Sequence, residues 1–139
     1  MTVEPLSPSR FSDRHIESVA ALSALRGEFG RWLADEGVGA AKIDDLLVVL
    51  SELGANAVRG TTDASMPATV WAEVRDGSVH IDVTNQVDEG ADAVPAGEWD
   101  LDDPLRTGGR GLLVVSALVD DVEVEARGDR LHVRCSLTV

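Results

Sequence analysis

The segment TVWAEVRDGSVHIDVTN, residues 69–85, alternates apolar and polar side chains on either side of a single turn signal. Asp76-Gly77 lies at its centre, and this dipeptide is a strong short-range signal for a tight turn between antiparallel strands. The apolar positions that share one face of the two strands are Val70, Ala72, Val74, Val79, Ile81 and Val83. The segment therefore predicts a β-hairpin with one apolar face.

A second hairpin is predicted at the end of the sequence. Residues 122–126 alternate in the same way, Gly128-Asp129 supplies the turn, and the alternation resumes from Leu131 to Leu137. Cys135, the only cysteine, falls on the apolar face of this last segment. A single cysteine excludes an internal disulfide and a metal site built from several cysteines, so we interpret Cys135 as a small core residue.

Helical periodicity dominates the sequence before the first hairpin. Residues 1–14, which contain several prolines and serines, predict an extended arm and leave a short edge strand open. A helix is predicted from His15 to about Glu36. A second helix is predicted from about Ala40 to Val58. Its expected core stripe is Ile43, Leu46, Leu47, Leu50, Leu53 and Ala57.

The order of these elements predicts the fold class. Two helices, a hairpin, a long polar segment at 86–107, a short helix within GGRGLLVVSALV (108–119) and a second hairpin follow one another. This order is typical of an α+β two-layer sandwich, in which a largely antiparallel mixed sheet carries its helices on one face. We expect one domain over residues 15–139, preceded by the arm at 1–14.

Composition narrows the class of protein further. The 139 residues and 14.7 kDa suit a single domain with a real core. No apolar run approaches the roughly 18 to 20 residues that span a bilayer, and the first residues lack the pattern of a secretory signal, so we expect a cytoplasmic location. The net charge of −13, with a single lysine, argues against direct binding to nucleic acid, which depends on clustered basic residues.

Within SELGANAVRG, residues 51–60, Glu52 and Asn56 stand one helical turn apart, on the face that also carries Val48 and Val49. One interpretation is that this pair acts on a magnesium–triphosphate complex. The asparagine carbonyl is a ligand for magnesium, and the glutamate is a general base for an attacking hydroxyl. The alternative is the solvated polar face of a surface helix, and the pair alone leaves both interpretations open.

A second motif, RTGGRGLLVV at residues 106–115, places three glycines just before a helix. Glycines leave backbone N–H groups free to approach an anion at the positive end of a helix, and Arg106 and Arg110 add donors suited to phosphate. A flexible turn in front of a helix is the alternative interpretation. The motif is not the GxxxxGK[ST] phosphate loop, because it lacks the lysine and a preceding strand.

Together these motifs resemble those of the GHKL ATPases, the superfamily of gyrase, heat-shock chaperone, histidine kinase and mismatch-repair proteins. ELGANAVRG resembles the N box of that superfamily, and GGRGLLVVSALV resembles its later glycine box. Within it, the small size and the two leading helices are similar to the stand-alone anti-sigma-factor serine/threonine kinases of bacterial partner-switching systems. The resemblance extends over about residues 15–138.

The resemblance implies a role for each matching position. Asn56 would coordinate magnesium, and Glu52 would act as the general base of phosphoryl transfer. The segment from about residue 88 to residue 107 would form a lid over the nucleotide. The glycine box that closes over the phosphates of ATP would be Gly108, Gly109, Arg110, Gly111 and Leu112.

One motif departs from the family pattern. The family has D-x-G-x-G after the second hairpin strand, and its aspartate receives the adenine amino group. In VTNQVDEG, residues 83–90, Asn85 takes the place of the aspartate, and Val87 and Glu89 take the places of the glycines. An asparagine carbonyl accepts the same hydrogen bond without the carboxylate's charge, and charge-assisted bonds are roughly twice as strong. The resemblance therefore implies weak ATP binding and leaves kinase activity open.

The function implied is that of a cytoplasmic regulator that binds ATP and magnesium. It would bind a sigma factor and exchange it for an anti-anti-sigma antagonist, and phosphorylation of a serine or threonine on the antagonist is left open. The alternative is a pseudo-ATPase, a protein-interaction module that keeps the fold and has lost nucleotide binding. Whether the chain forms a homodimer is also left open.

Overall fold

The computed structural model describes residues 9–61, 65–87 and 111–139. Within these ranges the chain forms five strands and three helices. In chain order they are β1 (Ser9–Ile16), α1 (Val19–Asp35), α2 (Ala40–Gly60), β2 (Ala68–Arg75), β3 (Ser78–Gln86), α3 (Gly111–Leu118), β4 (Asp121–Arg127) and β5 (Arg130–Thr138). None of the helices in the described ranges is both long enough and apolar enough to cross a membrane.

The described strands form one sheet in the order β1-β2-β3-β5-β4, and every neighbouring pair is antiparallel. The helices supply the second layer, with α2 between α1 and α3 and in contact with β2 and β3. The predicted α+β sandwich is confirmed. The strands β3 and β5 lie side by side inside the sheet, so residues near the end of β3 and the start of β5 meet beneath α2.

Both predicted hairpins are present. At the first turn, Asp76 has φ 52° and Gly77 has φ 76°, the pair of left-handed residues that a type I′ turn requires. At the second turn, Gly128 has φ 59°. Because the primed turn matches the twist of its strands, the Asp-Gly signal fixes the register, in which Arg75 pairs with Ser78.

The start of the first helix differs from the prediction. His15 and Ile16 were expected to open the helix, but they end β1 and pair with β2. The helix begins at Val19, and the Ser18 hydroxyl caps it by accepting a hydrogen bond from the Ala21 N–H at 3.1 Å. An apolar residue such as Ile16 suits a buried position in the predicted helix and in the observed strand. Apolar periodicity alone therefore does not distinguish the helix from the strand. The expected domain boundary at residue 15 falls inside β1, and residues 1–8 of the predicted arm lie outside the described residues.

The buried arc of α2 is wider than the predicted stripe. The helical pattern predicts Val49 on the face opposite the core, together with Val48. The prediction is wrong for Val49, which is fully buried, whereas Val48 is 38% exposed. The reason is that α1 and α3 flank the helix in addition to the sheet, so three surfaces contact it rather than one. The buried residues of α2 are Leu46, Val49, Leu50, Leu53, Gly54 and Ala57.

Gly54 allows α2 to approach α1 closely. A Cβ at this position would lie 2.8 Å from Leu22 Cδ1 of α1 and 3.4 Å from Ile16 Cδ1 of β1. The glycine lowers helix propensity by about 1 kcal/mol, which the close packing of the buried layer offsets. The absence of a side chain at Gly54 thus lets α1 and β1 pack closely against α2, the helix that carries Glu52 and Asn56.

Candidate functional site

A cavity of about 380 Å³ opens beneath the C-terminal half of α2. It lies between this helix, the ends of β3 and β5 that face it, and the first turn of α3. Its apolar walls are formed by Leu53, Ala57, Val83, Val87, Leu112, Leu131 and Val133. Three lining residues carry polar side chains, Asn56, Arg59 and Asn85. A concave, mostly apolar site with a few polar groups is the usual form of a small-molecule site.

Asn85 is the buried polar group of this cavity. The alternation of β3 turns Val83 and Asn85 toward the helices, and Asn85 is 4% exposed. Its Nδ2 donates to the Gln86 carbonyl at 3.4 Å, near the limit for a hydrogen bond, and no described residue donates to its Oδ1. A buried acceptor without a donor costs about 1–3 kcal/mol. The site therefore favours a ligand that donates a hydrogen bond to this carbonyl.

The close approach of α2 to Asn85 depends on Gly60. A Cβ at Gly60 would lie 3.2 Å from Asn85 Nδ2, tighter than most real contacts. Arg59, the residue before it, is exposed, as are most arginines. The last turn of α2 thus covers the amide with a glycine and leaves room beside it.

Asn56 lines the same cavity, one turn before the end of α2. Its Oδ1 accepts a hydrogen bond from Arg59 Nη2, three residues further along the helix. The oxygen predicted to bind magnesium therefore already faces a guanidinium group. Sequence reasoning did not assign Arg59 to the site, although its i, i+3 spacing from Asn56 is the signal that would have found it.

Asn56 is suited to a magnesium ion that arrives with its own oxygen ligands. Among the described residues, no group of three or more His, Cys, Asp or Glu side chains is placed to hold a metal ion. Magnesium in nucleotide sites usually takes one or two protein oxygens together with phosphate oxygens and water. The donor set near Asn56 fits that arrangement, provided that Arg59 releases the amide oxygen, and it does not fit a permanently bound metal.

Glu52 lies one helical turn before Asn56 and does not line the cavity. Its side chain is half-buried, and it makes no hydrogen bond or ion pair with another described residue. The structure thus brings Asn56, Asn85 and Leu112 to one cavity and leaves Glu52 beside it. The predicted role of Glu52 as general base stays a prediction.

The predicted glycine box is described only in part. Gly108, Gly109 and Arg110 lie outside the described residues, as does the predicted lid at 88–107. Gly111 is the first residue of α3, and Leu112 is buried and lines the cavity. The first turn of α3 therefore borders the cavity, and phosphate binding by the glycines before it stays a prediction.

The opposite face of the sheet carries a polar network. Asp82 of β3 accepts a hydrogen bond from Arg134 Nε at 3.0 Å and lies 3.3 Å from His132 Nδ1. The Thr84 hydroxyl lies 3.0 Å from the same His132 nitrogen, and Arg134 also pairs with Glu125 at 2.9 Å. These groups bond to one another across β3, β5 and β4. The alternation of β3 places Asp82 and Thr84 on the face away from Asn85 and the helices, so the network is not part of the cavity.

Cys135 is a core residue, as predicted. Its side chain is buried beneath the helices, and burial raises the pKa of its thiol to about 12. Because the neutral thiol is the stable form at physiological pH, Cys135 is a poor nucleophile.

An antiparallel sheet covered on one face by three helices, with an apolar cavity under the second helix, is the arrangement of a histidine kinase-like ATPase fold. The sequence matches the histidine kinase-like ATPase domain family over residues 17–137, and the chain belongs to this family. No curated protein matches the sequence.

A solved structure shows the same fold. It is the crystal structure of the RsbU and RsbW domains of Rv1364c from Mycobacterium tuberculosis, which is 20% identical with a TM-score of 0.67. The match covers 96% of this chain and 33% of that one, so the chain spans a third of the length of this neighbour. At this level of identity the likeness concerns the fold.

Proposed function

We propose that this chain is a cytoplasmic regulatory protein that binds ATP in the cavity beneath α2 and acts as an anti-sigma factor. The observation that carries the proposal is the buried Asn85 amide, whose Oδ1 has no described donor and lines an apolar cavity. A purine base offers the matching surface, a flat apolar face with a hydrogen-bond donor at its edge. The family of the chain supports the same ligand.

The residues that would hold the nucleotide divide into two groups. Asn85 would accept the adenine amino group, and the apolar walls of the cavity would contact the two faces of the base. Asn56 would bind magnesium together with the phosphates, and Gly108, Gly109, Arg110 and Gly111 would bind the phosphates themselves. ATP with magnesium would supply a transferable phosphoryl group.

Glu52 is the proposed general base for transfer to a protein hydroxyl. It lies on α2 one turn from Asn56 and outside the cavity wall, and the residue is half-buried. A hydroxyl on a docked partner could reach it without entering the cavity. The proposed acceptor is a serine or threonine of an anti-anti-sigma antagonist.

The proposed partners are proteins. The likeness of the fold to the RsbU and RsbW domains and the resemblance of the motifs to anti-sigma-factor kinases support a sigma factor and an anti-anti-sigma antagonist that exchange on one chain. The net charge of −13 disfavours nucleic acid as a direct ligand.

A pseudo-ATPase is the second candidate, and one contact favours it. Arg59 donates to the oxygen of Asn56 that would otherwise bind magnesium, so an internal cation already lies where the metal is required. In that case the cavity would serve only to shape a protein-binding surface, and the exchange of partners would not depend on nucleotide.

One experiment separates the two candidates. The purified chain is mixed with each purified sigma factor of its host, and binding is measured by calorimetry in ATP–magnesium, in ADP–magnesium and without nucleotide. If the chain is an ATP-dependent regulator, it should bind one sigma factor with an affinity that changes with the nucleotide. If it is a pseudo-ATPase, the affinity should be the same under all three nucleotide conditions. Binding to none of the sigma factors would contradict the anti-sigma assignment.

A further inference from the structure

The base end of the cavity carries a carboxamide where a carboxylate is expected, and the two groups offer a base different hydrogen bonds. A carboxylate only accepts, whereas the Asn85 side chain has an accepting oxygen and a donating nitrogen. A carboxylate therefore pairs with the amino group of a 6-aminopurine and repels the carbonyl of a 6-oxopurine. A carboxamide can pair with both.

Among the described residues, one weak hydrogen bond sets the orientation of this amide. The hydrogen bond from Nδ2 to the Gln86 carbonyl is long, at 3.4 Å, and it is the amide's only described partner. Gly60 has no side chain to press on Nδ2, which would lie 3.2 Å from a Cβ there. The amide can therefore exchange its oxygen and nitrogen by turning about its terminal bond at the loss of this one long hydrogen bond, which a bond from Nδ2 to the base would replace.

The other polar groups of the cavity offer no competing selection of the base. Asn56 and Arg59 are hydrogen-bonded to each other near the end of α2. The remaining described side chains that line the cavity are aliphatic. Aliphatic walls contact any purine face equally well. Among the described residues of the cavity, Asn85 is thus the one able to discriminate between purines.

We propose that Asn85 makes this site accept 6-oxopurine as well as 6-aminopurine nucleotides. The inference rests on the proposed nucleotide binding. With a 6-aminopurine, Oδ1 accepts a hydrogen bond from the amino group. With a 6-oxopurine the amide turns, so that Nδ2 donates to the O6 carbonyl. The carboxamide thus makes one neutral hydrogen bond with either base, whereas an aspartate makes one charge-assisted bond with the amino group and repels the carbonyl.

The test compares ATP with ITP, which differ at the 6-position and at N1, by calorimetric titration in magnesium. The parent should bind the two within about threefold of each other, whereas Asn85→Asp should favour ATP by at least about tenfold, the equivalent of one lost hydrogen bond. The matched control is Asn56→Asp, the same chemical change in the same cavity, which should leave the ratio of the two affinities unchanged. Circular dichroism confirms that each variant is folded.

Three results would overturn the inference. A parent that binds ATP but binds ITP at least about tenfold more weakly contradicts it while leaving the proposed function intact. An Asn85→Asp variant that keeps the parental ratio removes Asn85 from base selection. Failure of the parent to bind either nucleotide overturns the proposed ATP site, and this inference with it.

Discussion

Arg59 Nη2 donates a hydrogen bond to Asn56 Oδ1, so α2 carries both the predicted magnesium ligand and a cation bound to it. The two residues are separated by three positions, and both line the cavity beneath the helix. If Asn56 binds magnesium as proposed, the metal must compete with this guanidinium group for the amide oxygen. The proposal therefore links the affinity for metal to a single exposed arginine.

Removal of the arginine should strengthen the dependence of ATP binding on magnesium. Arg59→Ala frees Asn56 Oδ1, so the ratio of ATP affinity in magnesium to affinity in EDTA should rise by about three- to tenfold, the scale of one net hydrogen bond. Calorimetry in the two buffers measures this ratio. The matched control is Arg31→Ala, because Arg31 is an exposed helix arginine whose one hydrogen bond to a described residue goes to the Gly27 carbonyl. An unchanged ratio in Arg59→Ala would show that the contact does not compete with metal.

Asn56 itself should matter only when magnesium is present. Asn56→Ala removes the amide oxygen, so ATP affinity should fall by about tenfold in magnesium and by less than about twofold in EDTA. The fold should be preserved, because the side chain is only half-buried and its one described partner is Arg59. Equal losses in both buffers would remove Asn56 from the metal site.

Glu52 should affect turnover and leave binding unchanged. The residue does not line the cavity, so Glu52→Gln should keep ATP affinity within about twofold of the parent. If Glu52 is the general base, the same change should reduce any hydrolysis or phosphotransfer by about 100-fold or more, as measured with radiolabelled ATP. Turnover at the parental rate would place the base elsewhere.

The contact between α1 and α2 should control stability. Gly54→Ala places a methyl group 2.8 Å from Leu22 Cδ1, so we expect a loss of about 1–3 kcal/mol in the free energy of unfolding in urea. Gly27→Ala is the matched control, because a methyl group there meets only the end of the Arg31 side chain at 3.9 Å. That change should be neutral or stabilising by up to about 1 kcal/mol. Equal effects of the two variants would contradict the close packing at Gly54.

The parts of the fold that the sequence predicts are those with local signals. The first hairpin is specified entirely by local signals, the Asp76-Gly77 turn and the alternation on either side of it. Its register therefore follows from residues that are close in sequence. The apolar pattern predicts the start of α1 too early, because Ile16 fits an apolar position in a strand and in a helix alike. Ser18 is the local signal that distinguishes the strand from the helix. Its hydroxyl accepts a hydrogen bond from the N–H of Ala21, three residues later, and so caps the helix.

The site was predicted unevenly for a similar reason. The places of Asn56 and Asn85 followed from motif resemblance, and the structure brings both to one cavity. The hydrogen bond from Arg59 depends on side-chain direction around α2, and the burial of Val49 depends on where α1 and α3 lie. Neither the hydrogen bond nor the burial can be predicted from the sequence pattern of α2 alone, because both depend on how the surrounding elements are arranged.

The central claim is that Asn85 receives the base of ATP, and replacing the residues at the weakened motif tests it most directly. Titration calorimetry with ATP and magnesium compares the parent, Asn85→Asp and the double variant Asn85→Asp with Val87→Gly. We predict a parental Kd in the high-micromolar range or weaker, on the order of 10–30-fold tighter binding by Asn85→Asp, and a further gain when the valine that lines the cavity is removed. Tight binding by the parent, or no gain from the aspartate in a folded variant, would show that Asn85 does not bind the base.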